Sequence, residues 1–418
     1  LAGRFRHSLV GRRTVLGRAL LGTASLALAA PLALTAAPAT AQEPIKIGDL
    51  NSYTDLPAFT IPYRKGWKLA LEEINAEGGV LGRPIEVISR DDGGAPGDAL
   101  TVANELVRRE GVSMLMGTLL SHVGLAVSDY AAQQETLFLA SEPLTDALAW
   151  EKGNAYTFRL RPGTYVQAAM LAERAAKLDA TRWAVVAPNY EYGQSAVKAF
   201  KQLLKAKRPE VEFVAEQWPP LFKIDAGAVA QAIDRSEPEA IFNVTFGSDL
   251  VKFVREGTTR GVFEDRQVVS LLTGEPEWMN PLGGDVPKGW IVTGYPWDTL
   301  DTARHTAFRQ AYEAKFDEPP RMGSVVGYTS LKALAKAIEK AGTTDSEPVA
   351  AAMRGMSLPS PFGEITFRAS DQQSTMGTFV GETRPLDDRG QLIDWAYKDG
   401  ADYLPPAEQV KTWRPEGR

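Results

Sequence analysis

The sequence has no cysteine and only three histidines among its 418 residues. The first absence removes disulfide frameworks, thiol nucleophiles, thiolate metal sites and a lipid-modified cysteine together. The second leaves little for a metal centre: His7 lies in the amino-terminal segment, and His122 and His305 stand far apart. A zinc site would need several carboxylates around one or two imidazoles, and no metal is expected. Phosphate and hydrolase signatures are missing too: there is no G-x-G-x-x-G after a strand, no G-x-x-x-x-G-K-[ST], no G-x-S-x-G and no H-E-x-x-H. "GQSAV" at Gly193 lacks the second glycine of a nucleophile elbow. "DDGGAPGD" (91–98) lacks the alternating acids and distal glutamate of a calcium loop and reads as a turn with Pro96 opening a helix. No catalytic residue and no cofactor are therefore expected, and the chain does not read as an enzyme. An exported hydrolase stays open only if His122 or His305 lies beside a serine in a cleft.

Positive charge is also scarce once the amino terminus is set aside. Residues 1–41 hold Arg4, Arg6, Arg12, Arg13 and Arg18 and no acid, so the rest of the chain carries 41 basic against 52 acidic residues. That balance of −11 argues against a nucleic-acid partner, which would require phosphate neutralisation. The terminus itself reads as an export signal. Arg12-Arg13 in "GRRTVLG" precede an apolar run from Ala19 to Ala37, and "ATAQ" offers a small-x-small cleavage site before Gln42. The pattern resembles a twin-arginine signal. The run is also long enough to anchor in a bilayer, but Pro31, Pro38 and the many small residues favour cleavage. No second apolar run of about 18 residues follows, and the expected compartment is a periplasm.

What is present from Ile45 onward is a rhythm. "IKIGDL" reads as a strand, and Trp67, Ala70, Leu71 and Ile74 then make one helical face at i, i+3, i+4, i+7. "PIEVISR" is the next strand, followed by a helix marked by Ala99, Val102, Ala103 and Leu106. "SMLMG" and "TLFLAS" are short apolar runs of the kind buried in a parallel sheet. The alternation restarts after "YTFRLRPGTY" with "RWAVVAP", "VEFVAEQW", "AIFNVTF" and "RQVVSLL" as strands, separated by helices near Ser195 to Leu204, Ala226 to Asp234 and Asp249 to Glu256. Two such series predict an α/β protein with two similar lobes. Two long helical patterns, Ala303 to Phe316 and Tyr328 to Ala341, and a β-rich tail then follow. Such a tail does not simply extend the second lobe. "NAEGGVLGR" (75–83) sits between a helix and the next strand, where glycines end a helix and turn the chain. A phosphate cradle needs them between a strand and the next helix.

"ALEEINAEGGVLGRPIEVISRDDGG", "ANELVRREGVSMLMGTLLS" and "APNYEYGQSAVKAF" resemble the branched-chain amino-acid (leucine/isoleucine/valine-binding) family of type I periplasmic solute-binding proteins, which serve ABC importers. The resemblance covers residues 44 to about 400. It implies two Rossmann-like lobes, the Venus-flytrap arrangement, joined by three crossovers: residues 44–160 with 296–369 in lobe 1, and 161–295 with 370–410 in lobe 2. Hinges are expected at Phe158 to Arg161, Val292 to Pro296 and Phe367 to Ser370. By the same resemblance, ligand lies between the lobes at the strand carboxyl ends. Ser121, opening a helix, would receive a ligand carboxylate with its hydroxyl and neighbouring N–H groups, or would only cap that helix. Ser141, Glu142 and Leu144 fall in the next ligand loop, which departs from the small-residue sequence of leucine binders; Glu142 would bind a cationic group or point to water. Lobe 2 would contribute Tyr192, Phe246 and Glu275, the last suited to an ammonium group. Phe59 would be an apolar lid. For each aromatic residue, core packing is the competing role.

The function this implies is the periplasmic substrate-binding component of an ABC importer, a monomer that closes on a small amino acid or related carboxylate and presents the closed form to a membrane permease. An aromatic carboxylate or an amide as solute, or a ligand-sensing module of the same fold, are the alternatives.

Overall fold

A computed structural model describes residues 42–414 together with Thr14. The expected export signal, with Arg12-Arg13 and His7, lies outside the described residues. The first passage of chain comprises β1 (Ile45–Asn51), α1 (Pro57–Ala76), β2 (Ile85–Asp91), α2 (Pro96–Glu105), β3 (Met114–Gly117), α3 (Ser121–Gln133), β4 (Phe138–Ala140) and β5 (Thr157–Arg159). Its strands form one parallel sheet in the order β2-β1-β3-β4-β5. β3 and β4 are buried at every residue, as their unbroken apolar runs require of strands covered on both faces.

The second passage comprises α4 (Thr164–Ala175), β6 (Arg182–Val186), α5 (Glu191–Lys207), β7 (Glu212–Gln217), α6 (Ala226–Arg235), β8 (Ala240–Asn243), α7 (Gly247–Thr259), β9 (Gln267–Gly274), α8 (Pro276–Met279) and β10 (Ile291–Gly294). The third returns to the first lobe with α9 (Ala303–Phe316), α10 (Met322–Ala341), α11 (Ser346–Met353) and the small hairpin of β11 (Ser357–Ser360) and β12 (Gly363–Thr366). β13 (Thr378–Leu386) and β14 (Arg389–Lys398) then add an antiparallel pair to the second sheet, whose order is β14-β13-β10-β9-β8-β6-β7. The chain thus passes between two α/β lobes three times: after β5, after β10 and after β12.

The first and third crossings are hydrogen-bonded to each other. The backbone N–H of Arg159 donates to Gln372 O at 3.1 Å, and Ser374 N donates back to Arg159 O at 2.9 Å. The buried Arg159 guanidinium donates to the Gln373 side-chain oxygen, to Leu144 O at 3.1 Å and to Thr145 O. Two backbone crossings so paired satisfy one another's polar groups where no sheet can.

Helix α10 starts at Met322, earlier than the apolar periodicity from Tyr328 suggests: the Ser324 hydroxyl accepts from Arg321 N at 3.0 Å and ties down its first turn. It packs along α1 at unusually short range. A Cβ on Gly66 would stand 2.0 Å from Ser324 O, and one on Gly327 would stand 2.0 Å from Tyr63 O. "NAEGGVLGR" is a turn: Gly79, at φ 77°, donates to Ile74 O at 2.9 Å, and a Cβ there would meet Arg83 O at 2.0 Å. At the carboxyl end, α12 (Gly400–Tyr403) and α13 (Ala407–Trp413) bring Trp413 against Trp150, ring centroids 4.9 Å apart, and against Tyr165 at 6.0 Å.

Replacing a helical glycine by alanine ordinarily stabilises a helix by about 1 kcal/mol. At Gly327 the clash should win, since overpacking costs about 1–3 kcal/mol. Gly327→Ala is expected to lower the melting temperature, and a rise on differential scanning calorimetry would show that the α1–α10 approach is not a constraint.

Candidate functional site

Open α/β sheets bind ligands outside the carboxyl ends of their strands, and here the two sets of strand ends face each other. From the first lobe come Leu119, Leu120 and Ser121 after β3, and Glu142 and Leu144 after β4. The second lobe supplies Tyr190 and Tyr192 after β6, Phe246 after β8, and Leu272 and Trp278 around the end of β9; Arg161 reaches in from the first crossing. These residues line a small cavity between the two lobes.

The walls are aromatic. Phe59, at the start of α1, stacks on Trp278 of the second lobe at 5.8 Å and 16°. Phe246 meets Trp278 edge-on at 5.4 Å and Tyr192 edge-on at 5.6 Å. Tyr190 lies 5.9 Å from Tyr192. Edge-to-face and offset contacts at these separations are the favourable ones for ring quadrupoles. Tyr190 and Phe246 occupy the positions just before α5 and α7, so each helix start presents a ring to the cleft.

The polar groups are unequally served. Glu142, Glu275 and Glu277 are each 0 % exposed. Arg161 donates to Glu275 Oε1, and Trp278 Nε1 donates to Glu275 Oε2 at 3.1 Å. Glu277 Oε1 accepts from Gly323 N, at the start of α10 on the opposite lobe, at 2.7 Å. Glu142 approaches Arg161 Nη1 only to 3.8 Å, and neither of its oxygens has a hydrogen-bond partner among the described residues. The hydroxyl of Tyr192 is likewise buried and unpartnered. Burial pushes the Glu142 carboxyl well above the usual carboxylate range despite Arg161. Burial also raises Glu275, with Arg161 opposing. Glu277 is pushed up to about 7 by burial and by Glu275. The Arg161 charge is disfavoured by burial, but Glu275 and Glu142 outweigh that and hold its pKa above the ordinary value.

The residues expected from sequence are placed as follows. Ser121, Glu142, Leu144, Tyr192 and Phe246 share the cavity wall, and Phe59 and Glu275 stand against it through Trp278 and Arg161. Ser121 makes no side-chain bond within its own helix; its hydroxyl accepts from Thr145 N at 3.2 Å and pins the loop after β4. Ser141 points the other way, into the first lobe, with Tyr63 Oη at 3.2 Å and Ser330 Oγ at 2.8 Å. Sequence reasoning passed over Arg161, Tyr190 and Trp278. Trp278 follows Glu275 by three residues, one turn on, and "FRLRPG" sets Arg161 within an expected hinge, where a cation between two lobes is a signal in itself.

Neither outlying histidine forms a triad. His305 is bonded through Nε2 to Tyr295 Oη at 2.6 Å and through Nδ1 to Leu300 O at 2.8 Å. His122 packs against Tyr190 at 5.5 Å, its Nδ1 without a partner among the described residues.

Residues 44–390 match the periplasmic binding protein family. The chain belongs to that family. Among its relatives, a Leu/Ile/Val-binding protein homolog 7 of Brucella suis biovar 1 (strain 1330) is 26% identical over 352 residues, 80% of this chain and 86% of the relative. The amino acid ABC transporter substrate-binding protein of Pseudomonas fluorescens Pf-5 superposes with a TM-score of 0.77 at 23% identity, over 88% of this chain and 99% of the other. A solute binding protein of an ABC transporter from Rhodopseudomonas palustris HaA2, solved with p-hydroxybenzoic acid, gives 0.79 at 22% identity, over 89% and 100%. At such identity these two structures speak for the periplasmic binding protein fold alone. Among the described residues no helix is long and apolar enough to cross a membrane.

The raised pKa of Glu277 makes stability depend on pH with a definite sign. The fold favours its protonated form, so the contribution is whole below its ordinary 4.5 and is lost as the pH rises through about 7. Asp49 and Asp92, each raised to about 6 chiefly by burial, act in the same direction. The melting temperature is expected to fall from pH 5 to pH 8, and Glu277→Gln should flatten the upper part of that fall. An identical pH profile in the variant would place the titration elsewhere.

Proposed function

We propose that this periplasmic binding protein is the solute-binding component of an ABC importer, exported through its twin-arginine-like terminus and working in the periplasm as a monomer on a small amino acid. What carries the reading is the buried polar asymmetry of the cleft: aromatic walls from two lobes enclose an unpartnered carboxylate, Glu142, and an unpartnered hydroxyl, Tyr192, while the amino end of α3 lies alongside at Ser121. A zwitterion fits such a set, its carboxylate at the helix start, where N–H groups and the macrodipole favour an anion, and its ammonium beside an acid. Relatives whose names specify leucine, isoleucine and valine support the same class of solute.

Lobe 1 (44–160 with 296–369) would capture the solute and lobe 2 (161–295 with 370–410) would close on it about Phe158 to Arg161, Val292 to Pro296 and Phe367 to Ser370. The step is a shift in an open–closed population, not a chemical reaction. A membrane permease would read the closed form. The aromatic lining favours one second reading, an aromatic carboxylate, but Glu142 and Glu275 already share one guanidinium, Arg161, and a further anion would be penalised there.

A thermal-shift screen of residues 42–418 against amino acids, aromatic acids and amides tests this, since a solute that binds only the native form raises its melting temperature, by an increment that grows with concentration. Stabilisation by one or more aliphatic amino acids is expected. Stabilisation by none of the three classes would remove the solute assignment.

A further inference from the structure

The acid that resemblance assigns to a ligand ammonium, Glu275, already has a cation. Arg161 is bonded to one of its oxygens and Trp278 Nε1 to the other. Glu277 is held by the first turn of α10. Of the buried carboxylates at the cleft, Glu142 alone lines the cavity with both oxygens unpartnered among the described residues. A carboxylate taken out of water without hydrogen bonds is costly, so this position stabilises whatever brings it donors. Arg161 cannot serve both acids well, since its short contact is to Glu275 and its approach to Glu142 is 3.8 Å. Tyr192, Phe246 and Trp278 line the same cavity, and aromatic faces favour a cation over an anion.

We propose that Glu142, on the first lobe, receives the cationic nitrogen of the solute, while Arg161 stands permanently in that nitrogen's place at Glu275. The inference rests on the solute-binding reading and deepens it: the solute class is a primary or more substituted amine with a small apolar body, and the amine is recognised by the lobe that captures it first. Discrimination against nitrogen-free acids follows, because an acid without the amine leaves Glu142 with no cationic partner to offset its burial. Glu275 then acts as a positioning residue, through Arg161.

Isothermal titration of residues 42–418 with four probes tests this: L-leucine, 4-methylpentanoate (the same skeleton without the amine), 3-methylbutylamine (without the carboxylate) and benzoate. Leucine is expected to bind the wild-type protein at least about 30-fold more tightly than 4-methylpentanoate, the scale of one charge-assisted hydrogen bond. Glu142→Gln should cost leucine about that factor and close the gap to 4-methylpentanoate, with a smaller loss for 3-methylbutylamine only if the carboxylate adds to the fit. Glu142→Asp, which keeps the charge and shortens its reach, should fall between and serves if the glutamine variant does not fold. Glu275→Gln should cost less than Glu142→Gln. The proposal is overturned if 4-methylpentanoate binds as tightly as leucine, if Glu142→Gln leaves leucine affinity within about threefold, or if the Glu275 variant loses more. Binding of benzoate alone overturns it while leaving the solute-binding reading intact. Binding of none of the four also overturns it, and the wider screen then decides the reading itself.

Discussion

One buried guanidinium sets the terms for the cleft. Arg161 stands on the first crossing between the lobes, bonded to Glu275 of the second lobe and facing Glu142 of the first. A charge so far from water persists only where partners compensate its desolvation, and removing one partner of such a pair is usually worse than never having had it. The arrangement therefore requires both lobes to bring acids to the same point. It also leaves Glu142 as the acid without a hydrogen-bond partner among the described residues.

The scaffold around that point is built to hold the crossings while leaving the cleft walls to loops. Strand ends, helix starts and the connections between them supply the wall residues, so rigid sheets aim side chains that themselves lie on short connections. The third passage of chain is clamped to the first lobe by glycines that let α10 and α1 approach backbone to backbone, and the first and third crossings share hydrogen bonds through Arg159 and Gln373. Stacking of Phe59 on Trp278 and the bond from Gly323 N to Glu277 join the lobes across the cleft. These are the contacts that closure would make and opening would release.

Much of this is legible in the sequence, for identifiable reasons. Short apolar runs such as "SMLMG" can only be buried strands at their length, and alternation with amphipathic segments fixes the α/β class. The start of α10 was missed because Met322 to Gly327 carry no amphipathic stripe; tight packing against α1 holds that turn. Tyr192 and Phe246 are legible only through the family resemblance, which sets them among the ligand residues of the second lobe. Ser141 shares a loop with Glu142, yet successive side chains leave an extended loop on opposite sides, and its hydroxyl turns to Tyr63 and Ser330. Arg161 was legible as a hinge residue but its partners were not, because they are two acids more than a hundred residues from one another, which no local pattern brings together. The tail that seats Trp413 on Trp150 lies beyond the stretch where resemblance offered guidance.

The central claim is that two lobes close over a small solute about three crossings. Small-angle X-ray scattering of residues 42–418, stripped of solute and then saturated with the compound that most raises the melting temperature, reads this most directly. The account predicts a smaller radius of gyration in the saturated protein. An unchanged scattering profile at saturation would contradict it.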